Sequence, residues 1–125
     1  RIARYNPSVV VINVFPPHQQ PQIRQLLSFT LQVIVSQQLV VNSFKSGRSM
    51  CCEVLIPNSA IRNLIREDKL HQVYSMMQSG QETSGMQTMN QHLMKLVRRG
   101  IISKEDAILY SNVPDEMENM LATMR

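Results

Sequence analysis

The sequence predicts an α+β fold that is rich in helix. Apolar residues recur at intervals of three and four along most of the chain after residue 58, which is typical of amphipathic helices. Two apolar, partly β-branched stretches at 39–42 and 48–56 are joined by the polar residues 43–47, a pattern that predicts a β-hairpin. The 125 residues, 43% hydrophobic and 18% charged, are those of one domain, or part of one, with a single core.

The first helix is expected to begin near Pro21, because proline is favoured in the first turn of a helix. Its inward stripe is predicted as Ile23, Leu26, Leu27, Thr30, Leu31, Ile34 and Gln38. Before it, the β-branched run at 9–14 fits either a buried strand or the end of a helix. The pair Pro16-Pro17 ends whatever element precedes it.

The second predicted strand, 48–56, is apolar on both faces, so we expect both faces to be covered. Glu53 is the exception, and it is either a carboxylate paired with a basic neighbour, which we expect, or a functional one. Cys51 and Cys52 are adjacent and would point to opposite faces of the strand, an arrangement that suits neither a disulfide nor a shared metal. We interpret them as reduced, partly buried residues of a cytosolic protein.

Four further helices are predicted after the hairpin and the helix at 60–67. The first of these is short and runs from Leu70 to Gly80. The second has its apolar face on Met86, Met89, Leu93, Leu96 and Val97. Arg98, Arg99 and Gly100 are typical of a helix end. Ser103 is expected to cap the next helix, and Pro114 to start a final acidic one over 115–124. Most of the nine methionines fall at core positions of these helices.

The stretch 60–67 holds the candidate functional residues. They are Ala60, Ile61, Arg62, Asn63, Leu64, Ile65, Arg66 and Glu67, preceded by Pro57-Asn58-Ser59, in which Asn58 or Ser59 can cap the helix. The three large apolar residues share one side of the helix, and the four polar ones share the other. Two arginines four residues apart repel each other, and a glutamate at the helix end meets the negative pole of the helix dipole. Such a helix is either an ordinary amphipathic one with a solvated face or one that uses these charges.

Residues 60–67 resemble the AIRNLIRE signature of the pilus-retraction (twitching-motility, PilT-type) ATPases of bacterial type IV pili. Four more stretches resemble the same family in the same order. They are NVFPPHQQ at 13–20, VSQQL at 35–39, GMQTM at 85–89 and VRRGIIS at 97–103. The resemblance carried by these five stretches spans roughly residues 12–107. The first eleven residues depart from the family pattern, because Val10 or Val11 stands where the family has an arginine and the histidine-containing loop is absent.

The resemblance implies the C-terminal portion of a RecA-like ATPase core, at residues 1–57, followed by a C-terminal helical bundle, at 58–125. It implies part of a hexameric cytoplasmic motor at the inner face of the cell membrane, which couples ATP hydrolysis to pilin disassembly and contacts the inner-membrane platform protein of the pilus. Carried over to this sequence, residues 60–67 are the retraction motif. Ile61, Leu64 and Ile65 would anchor the helix, while its polar residues make contacts that change between nucleotide states.

The chain lacks the parts that would bind nucleotide in such a motor. It has no G-x-x-x-x-G-K-[ST] phosphate loop and no strand ending in an acidic pair for Mg²⁺. Its histidines, at 18, 71 and 92, are scattered, and its cysteines lie in a predicted strand. ATP and Mg²⁺ are therefore expected to bind the complete motor. In this chain alone we expect no catalytic residue, no cofactor-binding residue and no metal ligand. The initial Arg is expected to reflect a processed, truncated or partly observed product.

Two other classes of function fit the residues. One is a free-standing, non-catalytic helical module that binds or regulates a partner protein. The other is a nucleic-acid binder using the arginines at 62, 66, 98 and 99. A formal charge of +4 and only 5% aromatic residues argue against nucleic acid, so none is expected as a partner.

Overall fold

The computed structural model describes residues 11–44, 47–79 and 84–124. The helices and strands whose two ends lie within these ranges are α1 (Gln20–Thr30), β1 (Ile34–Val41), β2 (Arg48–Leu55), α2 (Ser59–Arg66), a 3₁₀ turn (Leu70–Gln72), α3 (Val73–Ser79), α4 (Met89–Arg98), α5 (Lys104–Tyr110) and α6 (Pro114–Ala122). The two strands pair in a two-stranded sheet. The residues form two compact units, each made of two separate stretches of chain: Arg1–Ile34 with Val54–Met86, and Val35–Glu53 with Gln87–Arg125.

The first unit packs α1, α2 and α3 around one apolar cluster. Its buried members are Leu55, Ile61, Ile65, Val73, Met77 and Met86. From α1, Leu27 and Leu31 pack against this cluster. As predicted, Pro21 lies in the first turn of α1, where a missing N–H leaves no helical hydrogen bond unmade.

Helix α1 is shorter than the sequence predicted, and a different face of it is buried. It ends at Thr30, and Leu31 already has an extended backbone with ψ 122°. Ile34 and Gln38, placed on the helix by their spacing, lie instead in β1. The β-branched run from Val33 to Val35 explains the switch, because such side chains fit a pleated strand better than a helix.

Two further residues of the predicted stripe of α1 face solvent. Leu26 is 60% exposed, and Thr30 is exposed as well. The buried side of the helix turns instead toward Leu27 and Ser28, and Ser28 is completely buried. The Ser28 carbonyl accepts a hydrogen bond from Arg62 of α2, so this side of α1 faces α2.

The hairpin is confirmed, with β1 longer than the predicted 39–42. Within the second unit, the Asn42 N–H donates to the Gly47 carbonyl and closes the loop. Ser43 ties it to the end of α4 through N–H to the Ile101 carbonyl (2.7 Å) and hydroxyl to the Gly100 carbonyl (3.1 Å). Coverage of β2 on both faces is not found in this chain, because Met50 is 52% exposed.

The second unit buries the inner face of α4 against the sheet and against α5 and α6. Its core consists of Val40, Cys51, Met89, Leu93, Met94, Leu96, Ile102, Ala107, Met117 and Leu121. Helix α4 begins later than Met86, because Thr88 forms a complete capping box with Gln91. It ends as predicted, with Gly100 at φ +72°, a conformation that glycine adopts without strain.

The turn between α5 and α6 is held by a buried polar network. Asn90 and Ser111 are almost completely buried and hydrogen-bonded to each other. The Asn90 amide donates to the Val113 carbonyl and to the Glu116 carboxylate, and the Ser111 hydroxyl accepts the Val113 N–H. These bonds satisfy groups whose burial would otherwise destabilise the unit. The predicted cap of α5 is present: the Ser103 side chain accepts the Asp106 N–H.

Some predictions fall on residues outside the described ranges: the beginning of the run at 9–14, the tip of the hairpin loop at 45–46, and Gly80. Within that run, residues 11–13 are helical, one of the two alternatives. Among the described residues, no helix combines the length and hydrophobicity needed to cross a membrane.

Candidate functional site

Helix α2, which carries residues 60–67, begins at a side-chain cap. Asn58 has an extended backbone, and its side-chain oxygen accepts the N–H of Ile61 at 2.9 Å. Of the two candidate caps, Asn58 is therefore the one used, and Ser59 is the first helical residue. Pro57, directly before the cap, is buried.

The apolar side of α2 faces the core of the first unit. Ile61 and Ile65 have no exposed surface, and Leu64 is partly buried against the same cluster. Burying two isoleucines completely contributes about 3–6 kcal/mol in transfer free energy. The helix is therefore fixed by its apolar side, and Ala60 is exposed beside it.

The two arginines of α2 have different surroundings. Arg62 is half-buried and donates from Nη1 to the main-chain carbonyl of Ser28 at 2.8 Å. That carbonyl belongs to the last turn of α1, where the final carbonyls lack partners within the helix. Arg62 therefore caps α1 from outside, with its charge at the pole of the helix dipole that favours a cation.

Arg66 is exposed and lies over an aromatic ring. Its guanidinium carbon is 5.2 Å from the centre of the Phe29 ring, within the range of a cation–π contact. It also donates from Nη1 to the side-chain oxygen of Asn63, one turn earlier. Phe29 is itself 65% exposed, so this pair lies at the surface.

The end of α2 is a Schellman turn built on an aspartate. Asp68 has φ +61°, the left-handed conformation that glycine usually supplies. The Lys69 N–H donates to the Leu64 carbonyl and the Asp68 N–H to the Ile65 carbonyl, which completes the turn. The Asp68 carboxylate lies 3.9 Å from Arg24 of α1.

Glu67 lies at the unfavourable pole of the helix dipole, as predicted, and Lys69 compensates it. Its carboxylate is 3.4 Å from the ammonium group of Lys69, and both side chains are at least half exposed. An exposed pair of this kind contributes about 0–1 kcal/mol. The acidic groups nearest to Arg66 in sequence are thus each within reach of another cation.

Sequence reasoning missed the contribution of α1 to this surface. Ser28 and Phe29 supply the partners of the two arginines, while Arg24 meets the aspartate at the end of α2. Because all three partners are more than thirty residues away in sequence, helical spacing within 60–67 could not find them. The local signal is Phe29, an aromatic residue outside the predicted inward stripe of α1, whereas the 60% exposed Leu26 falls within that predicted stripe.

The second unit contains a smaller polar cluster around Cys52. The Nδ1 of His92 accepts the Cys52 N–H at 2.8 Å, and the Gln87 amide donates to the Cys52 carbonyl at 3.0 Å. Burial lowers the pKa of His92 below 6.5, and the nearby charges of Lys95 and Arg99 lower it further, while hydrogen bonding to the Cys52 backbone partly opposes this shift. Burial also raises the pKa of Cys51 to about 12, which keeps that thiol protonated.

The remaining predicted polar residues do not assemble into a reactive site. Both cysteines are free, with Cys51 buried and Cys52 partly exposed. His18 and His71 are exposed. Glu53 accepts the N–H of Met89 at the start of α4, at 3.3 Å, where a carboxylate is favourable. Over residues 11–44, 47–79 and 84–124, no three histidine, cysteine or acidic side chains are placed to share a metal ion.

Comparison with known proteins finds relatives of this chain, although no family model matches it. It is 45% identical over 97 residues to a twitching motility protein of Neisseria gonorrhoeae, and 42% identical over 105 residues to the type IV pilus retraction ATPase PilT of Pseudomonas aeruginosa. A crystal structure of the pilus retraction motor PilT with bound ADP superposes with a TM-score of 0.80 at 49% identity. The chain belongs to the family of pilus-retraction ATPases.

The chain corresponds to a portion of these relatives. The matches cover 78% and 84% of this chain but only 26% and 30% of the two curated relatives. The PilT crystal structure covers 91% of this chain, which covers 31% of it. The ATPase DotB of Legionella pneumophila shares the fold with a TM-score of 0.66 at 17% identity. The fold class is thus that of the C-terminal portion of a RecA-like ATPase, with a two-stranded sheet and mostly helical content.

Proposed function

We propose that this chain is the C-terminal portion of a hexameric motor ATPase that powers type IV pilus retraction and couples ATP hydrolysis to pilin disassembly. The observation that carries the proposal is the AIRNLIRE helix, present letter for letter at 60–67. Identity of 45% to a twitching motility protein and of 42% to a type IV pilus retraction ATPase supports it. In this proposal residues 1–57 end the ATPase core, and residues 58–125 form the C-terminal helical region.

The motor's nucleotide chemistry lies outside these residues. The 125 residues contain no phosphate loop, so ATP and Mg²⁺ would be held by other parts of the complete motor, and this chain alone would not turn over ATP. The partners are other subunits of the hexamer and the inner-membrane platform protein of the pilus, and nucleic acid is not among them. The motor would work in the cytoplasm at the inner face of the membrane.

Within the motor, α2 would act as a fixed helix with an outward-facing polar side. Ile61 and Ile65 hold it in the core, and the bond from Arg62 to Ser28 ties it to α1. Asn63, Arg66 and Glu67 are exposed and available for contacts that change between nucleotide states. Among the motif's two arginines, Arg66 is therefore the better probe of function, because Arg62 also stabilises the fold.

The first experiment measures the intact mass of the native protein. A polypeptide about three times as long as this chain, with a phosphate loop upstream, is the expected result, given that 97 matched residues make up 26% of one curated relative. A native mass equal to that of these 125 residues would overturn the motor assignment and favour the non-catalytic module.

A matched pair of substitutions in the native protein then tests the motif. Arg66→Ala is expected to reduce pilus retraction while ATP turnover and melting temperature stay near wild type. Leu64→Ala removes a partly buried core side chain and should lower the melting temperature instead. If Arg66→Ala leaves retraction intact, or lowers the melting temperature as much as Leu64→Ala, the role of the polar side is wrong.

A further inference from the structure

The outer sides of α1 and α2 form one exposed surface that the AIRNLIRE motif describes only in part. We name it the Phe29–Arg66 surface, and it consists of Leu26 and Phe29 from α1 with Asn63 and Arg66 from α2. Leu26 and Phe29 are three residues apart, so they share one face of α1, and they are 60% and 65% exposed. Leu26 and Phe29 lie in the same compact unit as α2.

Within this surface, the aromatic ring orients the arginine. The guanidinium of Arg66 lies 5.2 Å from the centre of the Phe29 ring, while one of its N–H groups is bonded to Asn63. A guanidinium has five N–H donors in a fixed fork, and the bond to Asn63 uses one of them, so an exposed Arg66 retains donors for a further acceptor. Holding the long side chain in one place removes part of the entropy that binding would otherwise cost.

The charge around Arg66 is not neutralised by its sequence neighbours. Glu67 lies 3.4 Å from Lys69, and Asp68 lies 3.9 Å from Arg24. The surface therefore presents one oriented cation beside two exposed apolar side chains. Arginine and aromatic residues, with few lysines, are the composition that protein interfaces favour at their centres.

Resting on the proposed function above, we propose that Phe29 and Leu26 extend the retraction motif into a binding surface for a partner protein. That partner would offer a carboxylate to the Arg66 fork beside an apolar side chain that covers the leucine and the ring. Phe29 is a positioning residue in this arrangement, because it acts on the carboxylate through the guanidinium.

The test uses retraction by the native protein with graded substitutions. Phe29→Tyr keeps a ring under the cation and should retain wild-type retraction, whereas Phe29→Leu and Arg66→Lys should each reduce it at least fivefold. The double variant should be no worse than either single one, because both changes break the same contact. Leu109→Ala, at a leucine that is 61% exposed on α5, is the matched control and should have no effect.

The outcomes separate the two proposals. Loss of retraction in Arg66→Ala with full retraction in Phe29→Leu overturns the extended surface and leaves the motif's role intact. Full retraction in both overturns the motif's role as well. Equal losses in Phe29→Tyr and Phe29→Leu would show that the ring does not act through the guanidinium and would also overturn the proposal.

A labelling experiment tests the identity of the occupant. A Phe29→Cys variant, in a background where partly exposed Cys52 is changed to Ser, is treated with a maleimide in the purified native protein. Rapid labelling in the assembled motor supports a surface open to a separate partner. Protection in the isolated subunit would assign the surface to another part of the same chain. Protection only after assembly would assign it to a neighbouring subunit. Either kind of protection overturns a separate partner.

Discussion

Replacing Arg62 with alanine should destabilise the chain more than replacing Arg66, although the two residues are one turn apart on the same helix. Arg62 donates to the carbonyl of Ser28, a residue with no exposed surface, at 2.8 Å. Hydrogen bonds from charged donors contribute about 1.5–3 kcal/mol, and the carbonyl left behind would lack its partner at the end of α1. Arg66 has only an exposed cation–π contact and a bond to Asn63, together about 1 kcal/mol.

The assays are urea unfolding and thermal unfolding of the wild type, Arg62→Ala and Arg66→Ala, each followed by circular dichroism at 222 nm. We expect Arg62→Ala to lower the free energy of unfolding by about 2 kcal/mol and the melting temperature by roughly 7 °C. Arg66→Ala should lower the free energy of unfolding by less than about 1 kcal/mol. Equal losses in the two variants would refute the reasoning, since the difference rests entirely on the buried carbonyl.

Three other predictions concern single positions. Asp68→Gly should raise the free energy of unfolding by up to about 1 kcal/mol, because glycine relieves the left-handed backbone at φ +61° and only the exposed pair with Arg24 is lost; a lower melting temperature would contradict this. Because the pKa of His92 is lowered on folding, the unfolded chain binds the proton more readily. Stability should therefore be full above the unfolded value near 6.5 and fall as the pH drops below it. In His92→Gln the loss of stability between pH 7.5 and 5 should be smaller than in the wild type. If the free energy of unfolding depends on pH equally in both proteins, the prediction is wrong. In the native protein a thiol reagent should modify Cys52 and not Cys51 until denaturant is added, and rapid double modification, seen by mass spectrometry, would show that Cys51 is not buried.

Local signals predicted most element boundaries correctly. The cap at Asn58, Pro21 in the first turn of α1, the cap at Ser103 and the turn at Gly100 each depend on one to four neighbouring residues. Such features are readable from sequence because the side chain that makes the contact is adjacent to the backbone that needs it.

The errors arose where a competing local preference or a distant partner decided the structure. The change from helix to strand between Leu31 and Ile34 reflects β-branched residues that also fitted a helical stripe. Asp68 has a positive φ, a conformation that a glycine in the sequence would have indicated and an aspartate does not. The partners of the motif arginines lie on α1, and spacing within one helix contains no information about a neighbouring helix.

The interleaving of the two compact units has an evolutionary consequence. The chain passes between the units at 34/35, at 53/54 and again at 86/87. A single recombination crossover between two related genes therefore exchanges parts of both units wherever it falls between residues 35 and 86. Replacing the second unit alone requires residues 35–53 to be inherited together with residues 87–124. Amino acid substitutions at core positions in these two stretches, such as Val40 and Leu93, are thus expected to be correlated among relatives. Exchange of the second unit as one continuous segment is not expected.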